Sequence, residues 1–249
     1  MSKSNSSPSF QDLLAGLFQA HPWHGVSAGE GAPAEVDAFI EIVPTDTVKY
    51  ELDKRSGHLR IDRPQRFSSM CPTLYGFVPQ TYCGNQIAAL CSEKSGLKRI
   101  KGDGDPLDIC VLTERDIAHG NLFVRVIPIG GLRMIDHGQA DDKIIAVLHD
   151  DVVYGNLRDV SKCPEGLVAR LQHYFLSYKQ PPGAATGKRR PVRIDAVYGR
   201  AEAHEVIRRS MADYQAKFGS PEARLETLKD MLVQTVASTS PVRRGKTIR

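Results

Sequence analysis

Ala38-Phe39-Ile40-Glu41-Ile42-Val43-Pro44-Thr45-Asp46-Thr47-Val48-Lys49-Tyr50-Glu51-Leu52 is the stretch from which the fold is read. Two short runs rich in Val, Ile and Tyr flank Pro44-Thr45-Asp46. Such a triplet punctuates strands, because proline presets φ and an aspartate side chain can bond its own backbone. The spacing predicts a β-hairpin that pairs 38–43 with 47–52. Ser56-Gly57 predicts a second turn into His58 to Ile61, and Leu122 to Ile129, Gly131 to Ile135, Lys143 to Leu148 and Val192 to Tyr198 read as further short strands. The middle of the chain is therefore mainly β.

Helical periodicity comes later in the sequence. Leu167, Leu171, Tyr174 and Tyr178 recur at the spacing that lines one face of a helix, with Pro164 suited to its first turn. Val206, Ile207, Met211, Tyr214 and Phe218 before Gly219 predict a second helix. Ser220-Pro221-Glu222 opens a third, carrying Leu225, Leu228 and Leu232. Cys83 to Lys101 is turn-rich and shows no clear element. The class is mixed α+β, mainly β, with helices packed on a barrel or sheet.

At 249 residues, 41% hydrophobic and 25% charged, the chain has ordinary globular values and is long enough for one large domain with a buried core. The reading is a mobile N-terminal segment over 1–19, a main domain over 20–217, and a C-terminal helix with a basic tail over 218–249. The formal charge is +4, but Arg243, Arg244, Lys246 and Arg249 stand in the tail without an acidic neighbour, so the body is close to neutral. That balance argues against nucleic acid as partner. The 5 cysteines form no Cys-x-x-Cys pair and read as reduced thiols of a cytoplasmic protein. Leu13 to Phe18 is too short and too mixed for a signal peptide or a membrane span.

Asp103-Gly104-Asp105-Pro106-Leu107-Asp108 is the strongest local signal for chemistry, a carboxylate cluster directly before the apolar run Ile109 to Leu112. Gly104 permits unusual backbone geometry and Pro106 fixes φ, so one turn can aim several carboxylates at a common point. All-oxygen ligation selects a hard cation, Mg2+ or Mn2+, with Ca2+ as competitor. A second acidic group, Asp136 with Asp141 and Asp142, ends at Lys143 before another apolar strand, so two acidic loops at strand starts are placed to face one another. A single loop aspartate is usually a solvated turn former, whereas the hexapeptide as a unit needs cations. An EF-hand reading of Asp103, Asp105 and Glu114 fails at Leu107 and at Asp108, where the sharp turn requires Gly.

Cations and phenols form the complementary set. Along Lys49-Tyr50-Glu51-Leu52-Asp53-Lys54, strand alternation puts Lys49, Glu51 and Asp53 on one face and Tyr50 and Leu52 on the other. Arg63 and Tyr178-Lys179 add groups suited to phosphate oxygens, arginine through a planar fork and tyrosine through a directional hydrogen bond.

Together Phe39-Ile40-Glu41-Ile42, Lys49 to Lys54, Asp62-Arg63, Tyr75-Gly76-Phe77, the Asp103 to Asp108 hexapeptide, Asp136 to Lys143 and Tyr178-Lys179 closely resemble the soluble family I inorganic pyrophosphatases, in the same order. The resemblance implies a five-stranded barrel of oligonucleotide-binding-like topology with helices outside, and hydrolysis of pyrophosphate to two phosphates by metal-activated water attack. It implies Asp103, Asp108 and Asp141 around a first metal, Asp108 bridging to a second, and Asp136, Asp141 and Glu51 around metals arriving with substrate. Asp105 falls on the base, Glu41 on a supporting position, Lys49, Arg63, Tyr75, Tyr178 and Lys179 on phosphate ligands, and Lys143 on the site's edge. The implied cofactor is Mg2+, with Mn2+ as substitute and Ca2+ as inhibitor, and the implied assembly is a homo-oligomer.

Three stretches depart from that pattern. Cys71-Pro72 stands where many members carry Tyr-Pro, Gly84 to Ile100 is a longer connection that is expected to cover the site or an interface, and everything beyond about residue 219 is extra. The rival classes are a nucleic-acid-binding barrel, which 7% aromatic content and an acidic centre oppose, and a calcium-binding structural protein.

Overall fold

Strand pairing closes the middle of the chain into a ring. The computed structural model describes residues 19–66, 68–179 and 192–239. In chain order they form β1 (Val36–Ile42), β2 (Val48–Leu52), β3 (Leu59–Pro64), β4 (Leu74–Phe77), α1 (Asn85–Ser95), β5 (Lys101–Gly102), β6 (Asp108–Leu112) and β7 (Leu122–Asp136). There follow β8 (Gln139–Ala140), β9 (Lys143–Leu148), a 3-10 turn at Val160–Lys162, α2 (Glu165–Ser177), β10 (Val192–Gly199), α3 (Arg200–Phe218) and α4 (Pro221–Thr239). The strand order β1-β4-β6-β9-β7 returns to β1 through β7, so five strands form a closed barrel as expected. Residues 1–18 of the expected mobile N-terminal segment and 240–249 of the expected basic tail lie outside the described residues.

The predicted hairpin between 38–43 and 47–52 does not form. β1 uses both edges, pairing Phe39 with Phe77 on β4 and Ala38 with Val124 on β7, so no edge is left for β2. Pro44-Thr45-Asp46 still turns the chain, with the Val43 N–H donating to Asp46 Oδ2 at 2.8 Å. The hairpin instead joins β2 to β3 around Ser56-Gly57, where Asp53 Oδ1 accepts from the Ser56 N–H at 2.8 Å. A second correction concerns β7, which the sequence splits at Gly130 and the structure runs unbroken for 15 residues. A side chain at Gly130 or Gly131 would collide with Tyr198 of β10, so these glycines admit a neighbouring strand and do not end one.

The stretch without a predicted element contains α1. Its apolar side, Ile87, Leu90 and Cys91, is buried, but its amino-terminal N–H groups are satisfied from far along the chain. Asp213 of α3 accepts from Gly84, Gln86 and Ile87 N–H groups at 3.0 to 3.1 Å. No local cap exists to be read in the sequence. α1 packs on α3 and lines no part of the cleft described below, so the long 84–100 connection does not cover the site.

Side-chain alternation divides the core. One apolar cluster draws on all five barrel strands, through Ala38, Leu74, Ile109, Val126 and Ile144, and continues into α1 and α3. A second gathers Cys110, Leu112, Ile145 and Val147 beneath Leu171, Tyr174 and Phe175 of α2. A third unites Trp23, Phe39, Leu52, Phe77 and Tyr214.

Candidate active site

β6 and β9 run parallel, with Asp108 opposite Lys143, so the loops preceding them emerge at the same end of the barrel. That pairing brings the two acidic loops together. In the first, Gly104 has φ of +82° and the Asp105 N–H donates to Asp103 Oδ1 at 3.0 Å, the local turn that spreads three carboxylates from six residues. In the second, His137 and Gly138 at φ +49° and +83° make the two-residue turn between β7 and β8, leaving Asp136 at one strand end and Asp141 just before β9.

The loops border a cleft of about 270 Å³, a size for a small ligand. Glu41, Lys49, Glu51 and Tyr75 line it from the strands; Asp103, Asp105 and Asp108 from the hexapeptide; and Asp136, Asp141 and Lys143 from the second loop, with Tyr178 and Lys179 at the end of α2. Arg63 is the predicted residue outside the lining. Its guanidinium lies over the Tyr178 ring, 5.6 Å from the centroid, and its partner across the hairpin is Lys49. Asp53 and Asp142 also leave the cleft: Asp53 caps the hairpin turn, and Asp142 is buried with one oxygen accepting from Tyr198 Oη at 3.1 Å. Trp23, Leu52, Lys54, Phe77 and Gln139 border the cleft without having been singled out. Lys54 was legible only as the end of a matched motif.

Crowding sets the electrostatics. Burial, with Asp141 nearby, pushes the Asp103 carboxyl up to about 8, although the Asp105 N–H and Lys143 pull it down. Burial likewise raises Glu41 to about 8, even with Oε1 accepting from the Leu52 N–H at 2.7 Å, and it raises Asp141. Burial opposes charge on Lys143, yet Asp108 and Asp141 outweigh it and hold the ammonium well above the usual lysine range. Lys143 ion-pairs with both carboxylates and Lys179 with Asp136 at 2.7 Å, while Lys49 lies 3.1 Å from Asp62 and 3.7 Å from Glu51. Tyr75 Oη donates to Asp108 Oδ2 at 2.6 Å, and burial among carboxylates keeps that phenol protonated.

Divalent cations fit this donor set. It is all oxygen, it carries more buried carboxyl groups than its lysines neutralise, and the raised Asp103, Glu41 and Asp141 show the unmet demand for positive charge. Among the described residues no three carboxylates converge into a ready-made ion cage, because the Lys143 ammonium lies between Asp108 and Asp141.

Carboxylates that call for hard cations, facing lysines and phenols that suit phosphate oxygens in a small cleft on a closed barrel, define a divalent-metal-dependent enzyme acting on a small phosphorylated anion. Sequence comparison narrows the class: residues 38–215 match the inorganic pyrophosphatase family, and the chain belongs to it. The inorganic pyrophosphatase of Chlamydia trachomatis is 50% identical over 197 residues, covering 78% of this chain and 94% of that protein. Soluble inorganic pyrophosphatase 2 of Chlamydomonas reinhardtii is 36% identical over 199 residues, covering 80% and 91%. The crystal structure of the inorganic pyrophosphatase from Thermus thermophilus superposes with a TM-score of 0.64 at 28% identity, covering 79% of this chain and 99% of that one.

Proposed function

We propose that the cleft binds pyrophosphate with magnesium ions and hydrolyses it to two phosphates by in-line attack of water. Hydrolysis of inorganic pyrophosphate is the reaction of the family to which the chain belongs. The observation that carries the residue assignments is that every predicted site residue except Arg63 borders one cleft. When bound, the divalent ions lower the pKa of a coordinated water toward neutrality and neutralise phosphoryl oxygens.

The chain's own residues supply the rest. Asp103, Asp108 and Asp141 would hold the ions bound before substrate, and Asp136, Asp141 and Glu51 would hold those that enter with it. Asp105, half exposed at the cleft, accepts the proton of the attacking water. Lys49 and the protonated Tyr75 stabilise the electrophilic phosphoryl group; Tyr178 and Lys179 hold the leaving phosphate, with Arg63 reaching it past the Tyr178 ring. Glu41, whose Oε1 accepts from the Leu52 N–H, supports the charge balance without contacting substrate, and Lys143 yields its carboxylate partners to the cations and turns to phosphate oxygens.

Phosphate release from pyrophosphate tests the reading. It should require magnesium, continue with manganese, stop on chelation and be inhibited by calcium, whose looser geometry fills the sites without aligning the reactants. Turnover in excess chelator would overturn it. Five unpaired cysteines, Cys71, Cys83, Cys91, Cys110 and Cys163, suit a cytoplasmic location. No helix among the described residues is long and apolar enough to cross a membrane. A homo-oligomer completes the proposal, supported by exposed Val152, Val153 and Val197, and sedimentation at micromolar concentration would detect it.

A further inference from the structure

Each lysine bordering the cleft is paired with a carboxylate, and one pair has no role so far. Lys49 meets Asp62 and Glu51, Lys143 meets Asp108 and Asp141, and Lys179 meets Asp136; all three lysines are already committed to phosphate. The fourth, Lys54, ion-pairs with Oδ1 of Asp105. Among the described residues that ammonium is the partner of the Asp105 carboxylate, while the Asp105 main chain is held separately, its N–H by Asp103 and its carbonyl by the Cys83 N–H at 2.8 Å. The backbone of this loop is therefore secured, and the carboxylate depends on Lys54.

Lys54 is itself anchored. It stands in the turn two residues after the end of β2, and its carbonyl oxygen meets His21 Nε2 at 3.2 Å. The hairpin that follows bends so tightly against His21 that a side chain at Gly57 would strike the imidazole. The segment preceding the barrel thus fixes the backbone from which Lys54 reaches across the cleft.

We propose that Lys54 is a positioning residue for Asp105: its ammonium holds Oδ1 and so turns Oδ2 toward the water whose proton Asp105 accepts. The proposal rests on the reading of Asp105 as the base. A half-exposed carboxylate with no such partner samples several rotamers, and a base displaced by an ångström loses much of its efficiency. Lys54 is distinct from the phosphate-binding lysines, because its loss should leave substrate and metal affinity in place.

Steady-state kinetics and calorimetric magnesium titrations on Lys54→Met, Lys54→Arg, Asp105→Asn and the double variant Lys54→Met/Asp105→Asn test this. Lys54→Met should lower kcat by about tenfold, equivalent to about 1.4 kcal/mol, with KM within about twofold. Magnesium affinity should stay within about threefold, and Lys54→Arg should recover most of the rate. In the Asp105→Asn background the Lys54→Met effect should vanish, since there is no longer a base to aim. A raised KM with unchanged kcat would overturn the proposal by making Lys54 an entrance cation, and weakened magnesium binding would overturn it by making Lys54 a guardian of the ion sites. An unchanged enzyme would overturn it as well. Full activity in Asp105→Asn would instead remove the base assignment on which the proposal stands, so the two failures are distinguishable.

Discussion

Two sets of aspartates in this chain meet opposite surroundings. Asp213 and Asp151 each accept several N–H or O–H donors: Asp213 caps α1, and Asp151 collects Thr113 Oγ1 and the N–H groups of Glu114, Val153 and Tyr154 at 2.7 to 2.9 Å. These donors hold the Asp151 carboxyl below the usual carboxylate range, although its partial burial opposes the shift. Asp103 and Asp141 at the cleft are buried beside like charges, and their carboxyls are pushed up. A carboxylate matched to fixed dipoles stabilises the fold, and one left short of positive charge favours a cation that the chain does not supply. The same residue type thus separates scaffold from site by its partners.

That contrast makes its strongest claim at Asp105 and Asp108. Asp105→Asn should lower kcat by about 10²- to 10⁴-fold, the usual worth of a general base, with magnesium affinity nearly unchanged. Asp108→Asn should weaken magnesium binding. Rates and calorimetric titrations on both variants sharpen the division of labour, and equal magnesium affinities would erase it.

The scaffold side is tested at Asp213. Asp213→Ala removes a buried acceptor and strands the first N–H groups of α1, which should cost about 2–3 kcal/mol in urea unfolding while activity per folded molecule is retained. Loss of activity without loss of stability would break the distinction between the two sets.

A pH series probes the cleft set. Glu41 and Asp103 have folded values near 8, far above the unfolded carboxyl, so the metal-free fold keeps protons that the unfolded chain has already released. Their stabilising contribution is complete below about pH 4 and is lost as pH rises through about 8, with a slope of at most about 1.4 kcal/mol per pH unit for each group. Burial lowers His24 to about 4, and the penalty this brings develops only below about pH 6.5. Metal-free protein should therefore lose stability between pH 6.5 and 8.5, and saturating magnesium should abolish the loss, with protons released on binding. A flat metal-free profile would contradict the crowding at the cleft.

The smallest effect is expected at Cys71. Its thiol is 2% exposed, sits in the cluster beneath α2, lies outside the cleft lining, and is pushed by burial up to about 11. Cys71→Ala should change kcat less than about tenfold, and Cys71→Tyr should cost stability through overpacking. A rate loss in Cys71→Ala matching that of Asp105→Asn, with circular dichroism unchanged, would give the thiol a catalytic role.

Much of the site was legible because its chemistry is local. The hexapeptide from Asp103 to Asp108 needs one glycine and one proline to aim its carboxylates, and the period of α2 pointed Tyr178 inward with Tyr174. The split of β7 misread glycine as a break, because only the presence of Tyr198 across the pair reveals why Gly130 and Gly131 are small. Helix α1 escaped notice because its cap is supplied by Asp213, and Lys54 because nothing in its own turn indicates that it will meet Asp105.

From its order of residues alone the chain carries its class, its helical faces, its two acidic turns and the alternating Lys49-to-Lys54 segment, since these depend on φ preferences, periodicity and charge within a few neighbours. Tertiary structure assigned the partners. It gave both edges of β1 to β4 and β7 and refused the expected hairpin; it ran β6 parallel to β9, so that Asp108 and Asp141 share one ammonium; and it set Arg63 behind Tyr178. Closure of a barrel satisfies every strand edge at once, a condition on the whole ring that no local stretch can express.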